Sequence, residues 1–286
     1  VASSGRKEKM MDEVGSAQSI RHKSQVLGIR RQTYHSRKKG HRPEQVDAQI
    51  AQLLHQTIQE YVAWGFWMVY HYLRREGHTW NHKRVYRVWK QEQLHLRRKP
   101  KRPVIRRKYL DLQAPNEINK GWAMDFVSDW VVGPKDKQVR IINVIDECSR
   151  RALWTEAYYN ITAKTLIQVL NQIVAWRGKP AYIRCDNGPE FISKELQDWA
   201  EDKGVDIWYT QPGKPSQNGL IERLNGTLRR ECLNLQWFKN LDLLNDALQD
   251  WWHTYNEVRP HSSIRFLSPA EFETKFKYLY FFSVAA

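Results

Sequence analysis

At Gly121 the apolar pattern of this 286-residue chain changes its period. Before that point hydrophobic residues recur every three or four positions; after it they come first in short runs rich in β-branched and aromatic side chains. Side chains repeat about every 3.6 residues around a helix and every 2 along a strand, so neither pattern fits the other structure. The chain therefore reads as a small helical module followed by a larger α/β body.

In the first part, Ile50, Leu53, Leu54, Ile58, Tyr61 and Val62 share one helical face. A second short helix carries Phe66, Trp67, Val69, Tyr70 and Leu73 and stops at Gly77, a residue type that closes helices in the left-handed conformation. Asn81 suits the N-cap of a third helix running to Gln93, with Val85, Val88 and Trp89 inward and Lys83, Arg84, Arg87 and Lys90 as a basic stripe. Such a triplet suggests a helix-turn-helix, whose last helix sets basic side chains beside phosphates and base edges. A solvated basic face is the alternative. Residues 1–43 are polar and basic with one apolar patch, Val26 to Ile29, and read as partly disordered or as a small helical fragment.

Charge is divided in the same way. Residues 1–110 hold 25 basic and 8 acidic side chains, and the remainder hold 21 and 23. A basic module of this kind binds DNA or RNA with steep salt dependence, because each neutralised phosphate releases counterions. From Arg97 to Lys108 eight of twelve residues are basic, and Pro100 and Pro103 prevent a continuous helix, so an extended linker tracks a phosphate backbone or simply tethers two domains. Cys148, Cys185 and Cys232 lack the paired spacing of a zinc site or disulfide framework and read as reduced thiols of a cytosolic protein. A membrane span needs about 20 apolar residues, which rules out the tail Tyr278 to Phe282; that tail packs on the core or extends past it.

Beyond Gly121, strands are expected at 122–132, 139–145 and 153–158, an antiparallel meander. A helix at 162–177, a strand at 182–185, a helix at 193–203 and a strand at 205–209 follow. After a Gly- and Pro-rich loop come helices at about 217–232 and 241–256, the latter with Leu244, Leu248, Trp251, Trp252 and Tyr255 on one stripe. This order predicts a mixed sheet with helices on both faces.

Three carboxylates stand out in this body. Asp125 lies mid-strand, where propensity and burial both disfavour a charge. Asp186 directly follows the fourth strand, at a strand end where sites in such sheets form, and Glu222 lies on the helix after the loop. Each alone has an ordinary structural reading. Asp146 and Glu147 read as turn residues outside this set.

Two aspartates and a glutamate, with 35 residues between the last two, resemble the DDE transposases and retroviral integrases. The surrounding residues, Gln211 to Pro215, Asn218, Glu222-Arg223 and Asn225-Gly226-Thr227, resemble the second-frame (OrfB) transposases of insertion-sequence family three. So do Tyr255-Asn256, Arg259-Pro260-His261 and Ser268 to Phe272, and, in the basic module, Gly77-His78 and Asn81 to Arg87. Phe66-Trp67-Met68 departs from the pattern, which points to more packing and less DNA contact by the second helix.

The resemblance implies an α/β fold: an RNase H-like mixed five-stranded sheet with flanking helices (integrase catalytic core) behind a small all-α helix-turn-helix-like domain. The implied domains are a basic N-terminal segment (1–43), the helix-turn-helix-like domain (44–96), a basic linker (97–117), the core (118–275) and an apolar tail (276–286). It implies a transposase that cleaves DNA and joins 3′-hydroxyl ends by phosphoryl transfer, with Asp125, Asp186 and Glu222 as catalytic and metal-holding residues. Magnesium, or manganese in its place, suits three carboxylates, because hard cations take oxygen ligands, and two ions per site suit an in-line displacement. Arg229, seven residues after Glu222, is expected on the same face and at the DNA, where Asn218 and Asn225 orient Glu222 or DNA unless Asn218 simply caps the helix.

Expected partners are the terminal inverted repeats and target DNA, a first-frame OrfA subunit or OrfAB fusion, and further copies of the chain in the DNA complex. The expected setting is the bacterial cytoplasm and nucleoid, with no membrane. Rival readings are an inactive or domesticated DNA-binding protein and another RNase H-like nuclease.

Overall fold

A computed structural model describes residues 19–28, 44–96, 115–133, 135–211 and 218–284. The chain divides into two compact units, residues 1–55 and 56–286. The first holds α1 (Ile20–Leu27), which Ser19 opens by accepting from His22 N and Gly28 closes at φ 63°. It also holds the start of α2 (Glu44–Glu60), where Ile50 and Leu54 are buried. The basic stretch from Arg97 to Lys108 lies outside the described residues.

In the second unit α3 (Phe66–Arg75) and α4 (His82–Gln91) follow. Asn81 caps α4 by accepting from Lys83 N at 2.8 Å, and Gly77 takes the left-handed φ of 91° expected of a helix stop. Val69, Leu73, Val85, Val88 and Trp89 are buried. The Phe66 ring meets Trp89 edge-on at 5.7 Å and Tyr86 at 4.8 Å, so it packs, as its departure from the family pattern suggested. Trp67 stays half exposed.

The body is a five-stranded sheet in the order β3-β2-β1-β4-β5. Its strands are β1 (Gly121–Val131), β2 (Lys137–Asp146), β3 (Ala152–Tyr158), β4 (Tyr182–Cys185) and β5 (Asp206–Tyr209). The first three pair antiparallel and the last two join in parallel, giving the mixed sheet the sequence predicts. Gly121 is required at its position, because a Cβ there would collide with the Tyr182 ring, itself stacked on Trp208 at 3.7 Å.

Alternation along the strands builds two cores. Trp122, Met124, Ile142 and Val144 pack on α5 (Ala163–Arg177) and α6 (Lys194–Lys203). Ala123, Val127, Val131, Val139, Ile141 and Ile145 pack on α7 (Gly219–Leu228) and α8 (Leu241–His253). The helices expected at 217–232 and 241–256 each run on into a wider π turn, Arg229–Leu233 and Thr254–Val258. The chain closes with α9 (Pro269–Val284), so the apolar tail continues a helix. Ser268 and Glu271 start α9 as a capping box, Ser268 N donating to Glu271 Oε2 at 2.8 Å and Glu271 N to Ser268 Oγ at 3.2 Å.

Strand β3 ends the sheet, and α8 covers its open edge with side-chain amides. Asn245 Oδ1 accepts from Ala157 N at 2.8 Å while its Nδ2 donates to Ala157 O at 3.2 Å. Asn256 does the same for Ala152 at 2.9 and 3.0 Å, and Trp252 Nε1 donates to Ala152 O at 2.7 Å. Each amide supplies the donor and acceptor of a missing strand, which satisfies the edge and blocks pairing with another chain. Asn256 is fully buried. Asn256→Ala should therefore cost about 2–3 kcal/mol, since it strands a buried backbone N–H, against about 1 kcal/mol for the more exposed Asn245→Ala. Urea unfolding measures both, and equal small losses would mean that water replaces the Asn256 amide.

Candidate active site

Strand β1 carries Asp125 on the sheet face that α7 covers, the face otherwise lined by Ala123, Val127 and Val131. Its carboxyl is pushed up to about 6, chiefly by loss of water and also by the charges of Asp186 and Glu222, while bonds from the Phe126 backbone and Asn225 oppose the rise. Asp186 and Glu222 thus act on Asp125 from two other elements, and both are exposed.

Asp186 follows β4, the parallel neighbour of β1, at its C-terminal end. Its Oδ1 accepts from Gly188 N at 2.9 Å, folding the loop back on itself. Asn187 Nδ2 donates to Thr210 O at 2.8 Å, and the Phe191 ring stacks on Phe126 at 4.5 Å. Glu190 pairs with Arg140, which holds its carboxyl below the usual range, so this acid serves to tie the loop to β2.

Glu222 lies in the first turn of α7, after residues 212–217, which are outside the described residues. One turn on, Asn225 Nδ2 donates to Asp125 Oδ2 at 2.7 Å, so Asn225 orients Asp125 rather than Glu222. Asn218 stands at the N-cap of α7 without a side-chain capping bond, and its buried Oδ1 has no partner, which corrects the capping reading. Arg229 is exposed and opens the π turn, and its guanidinium donates to Ser128 O at 2.8 Å, three residues along β1 from Asp125.

Asp146 and Glu147 have structural partners. Asp146, fully buried, accepts from Cys148 N, Ser149 N and Asn119 N and pairs with Arg177, while Glu147 pairs with Arg184 and accepts from Tyr182. The closing motif is structural as well. Arg259 grips Glu231 of the first π turn through Nε and Nη2, both at 2.9 Å. His261 bonds Tyr255 O at 3.1 Å, and burial pushes its imidazole down to about 3, which keeps it neutral. Helix α3 packs on the same segment: Arg75 pairs with Glu271 at 3.0 Å and donates to Val258 O at 2.8 Å, and His71 stacks on Phe266 at 3.9 Å. On α4, Lys83 and Lys90 are exposed, while Arg84 and Arg87 are half buried and Arg87 donates to Gln91.

Asp125, Asp186 and Glu222 form an all-oxygen donor set, and Asp125 has no cationic side chain paired with it among the described residues. That chemistry fits a hard divalent cation. Among the described residues no three His, Cys, Asp or Glu side chains stand ready to hold an ion. Three like charges repel one another, so closing the set requires a cation to offset them.

A meander joined to two parallel strands, with acids on β1, after β4 and on α7, defines the RNase H-like architecture of the integrase-core class. Family models agree: integrase core domain models match residues 115–215 and 203–269, and an HTH-like domain model matches residues 44–102. A 31.7 kDa protein of insertion element IS407 from Burkholderia multivorans is 35% identical over 90% of this chain and 91% of that protein. A 39.2 kDa protein of insertion element IS476 from Xanthomonas euvesicatoria is also 35% identical, over 78% of this chain and 64% of that protein. Transposase InsD of insertion element IS2 from Escherichia coli is 28% identical over 79% and 78%. The chain belongs to the DDE transposases with an integrase core, in the OrfB group of insertion-sequence family three.

The raised carboxyl of Asp125 has a consequence for stability. Its folded value of about 6 lies above the ordinary 3.8, so folding favours the protonated form and stability falls as pH rises between the two. Asp125→Asn should then stabilise the metal-free protein by about 2 kcal/mol at pH 7.5 and by almost nothing near pH 3.5. Denaturant melts at the two pH values measure this. A variant less stable than wild type at pH 7.5 would show that the carboxylate is well solvated or well paired.

Proposed function

We propose that this transposase cuts DNA to release 3′-hydroxyl ends and joins such ends to a DNA strand by transesterification, using Asp125, Asp186 and Glu222 to hold two magnesium or manganese ions. The observation that carries this reading is Asp125 itself, a carboxylate set in an apolar sheet face with two further acids acting on it. Held by these three acids, divalent ions would supply Lewis-acid activation of a water or 3′-hydroxyl and charge stabilisation of a departing oxygen.

The chain's own residues supply position and charge. Asp125, on the central strand, and Asp186 and Glu222 on the two neighbouring elements would be the residues that hold the ions. Glu222 comes from a helix start rather than a strand, so it is the member that moves as DNA enters. Arg229 exchanges its bond to Ser128 O for a DNA phosphate. Lys83, Arg84, Arg87 and Lys90 contact phosphates, Lys83 and Lys90 foremost because they already face solvent. Terminal repeats and target DNA are the substrates, and a first-frame OrfA subunit and further copies of this chain complete the assembly at the bacterial nucleoid. The domain limits proposed with this reading are residues 44–96 and 118–275.

Two experiments test it. Glu222→Gln removes charge but not size, so fold and DNA binding should survive while cleavage and joining fall by orders of magnitude; Asp125→Asn and Asp186→Asn should match it without adding to it. Full metal-dependent activity in Glu222→Gln would remove Glu222 from the catalytic set and overturn the three-acid assignment. Separately, replacing Lys83, Arg84, Arg87 and Lys90 by Ala should flatten the salt dependence of DNA binding by a log–log slope of up to about 3–4. An unchanged slope would return that helix to a solvated role.

A further inference from the structure

Among the polar residues on the sheet face under α7, Asp125 on β1 and Asn143 on β2 are direct cross-strand partners in register. Asn143 is fully buried, between Ile141 and Ile145 of the same face. Its Nδ2 donates to Asn225 Oδ1 at 2.8 Å, and Asn225 Nδ2 donates to Asp125 Oδ2 at 2.7 Å. The relay runs from the middle of β2, through α7, back to β1.

The order of donors and acceptors matters. An amide has one donor end and one acceptor end, so Asn225 can give its N–H to a carboxylate only if its oxygen faces away. Asn143 supplies the donor that holds that oxygen in place. Were Asn225 to flip, its carbonyl would face the Asp125 carboxylate and its amide NH2 would face the Asn143 NH2, leaving two repulsive contacts.

This arrangement is not built for stability. Asn143 Oδ1 is buried with no hydrogen-bond partner among the described residues, an unfavourable state that a Val or Leu would avoid. An amide kept there against packing needs another reason, and the reason available is the acid it faces. We propose that Asn143 is a positioning residue for the reaction: acting only through Asn225, it fixes the plane of the Asp125 carboxylate. The inference rests on the reading of Asp125 as a metal-holding acid, and the experiment separates the two.

Asn143→Leu, Asn225→Ala, the double variant and Asp125→Asn are purified as the full chain. They are compared in thermal melting, in Mn2+ affinity by calorimetry without DNA, and in kcat and KM for strand transfer. Asn143→Leu should melt at or above the wild-type temperature, bind Mn2+ several-fold more weakly, and lose about tenfold or more in kcat with KM for DNA unchanged. The double variant should be no worse than Asn225→Ala alone, since both changes break one relay. Full kcat and Mn2+ affinity in Asn143→Leu beside an inactive Asp125→Asn would overturn the relay and leave the acid assignment standing. An active Asp125→Asn would overturn that assignment instead. Losses that add in the double variant would make Asn143 a structural residue. If Asn143→Leu fails to fold, Asn143→Val, of the residue type already present at Val139 on this face, takes its place, and failure of both assigns Asn143 to the fold alone.

Discussion

Asp125 places a titratable carboxyl among Ala, Val and Ile side chains of a sheet face, and the polar contacts around it respond to that one group. Burial and two like charges push its carboxyl up, and a single amide and a backbone bond pull against them. A protein interior tolerates such a group when something completes it. Strand β1 fixes its position, β4 delivers a second acid at the adjoining strand end, and α7 delivers the third from above. The proposed chemistry depends on bringing these three acids, carried by three separate elements, to one ion site.

Around that centre, polar residues that look catalytic by type are spent on holding the frame. Arg177 and Arg151 bind Glu273 of the last helix, and Arg177 also binds Asp146 at the end of β2. Arg259 joins the π turn after α7 to the turn after α8, and Arg75 fastens α3 to the segment that follows. Asn245 and Asn256 close the open edge of β3. Helix α7 is therefore braced from its C-terminal end, where it widens into a π turn, while its N-terminal end carries Glu222 next to the Gly- and Pro-rich loop. Bracing one end and leaving the acid at the other suits a group that must approach its partners when DNA arrives.

Much of this was legible in the sequence because period and capping are local properties. Asn81 announces a helix start and its side chain accepts from that helix as read, while Thr162 and Ser193, read as first helical residues, stand one residue before their helices as caps. The β meander and the later alternation of helix and strand gave the mixed sheet. Three things escaped. The π turns carry no pattern distinct from an ordinary helix, so the helices at 217–232 and 241–256 read as continuous. The motif Asn256, Arg259, His261 reads as family vocabulary, yet its work is long-range: an edge cap, a pair with Glu231, a neutral buried imidazole. Asn143 gave the same signal as Asp125, a polar residue inside an apolar strand run, but its meaning depends on register with β1 and on what α7 lays over it. Strand pairing is not a local property, and Asn225 was accordingly matched to its own helix neighbour Glu222.

The central claim is that Asp125, Asp186 and Glu222 are one cation site held open by mutual repulsion. Electron paramagnetic resonance titration of the DNA-bound protein with Mn2+ tests it most directly, by counting bound ions and showing whether they sense each other. The account predicts two bound ions per catalytic core with spin–spin coupling, and loss of both the coupling and the second ion when all three acids are replaced by their amides. Equal Mn2+ binding by the wild type and that triple variant would contradict it.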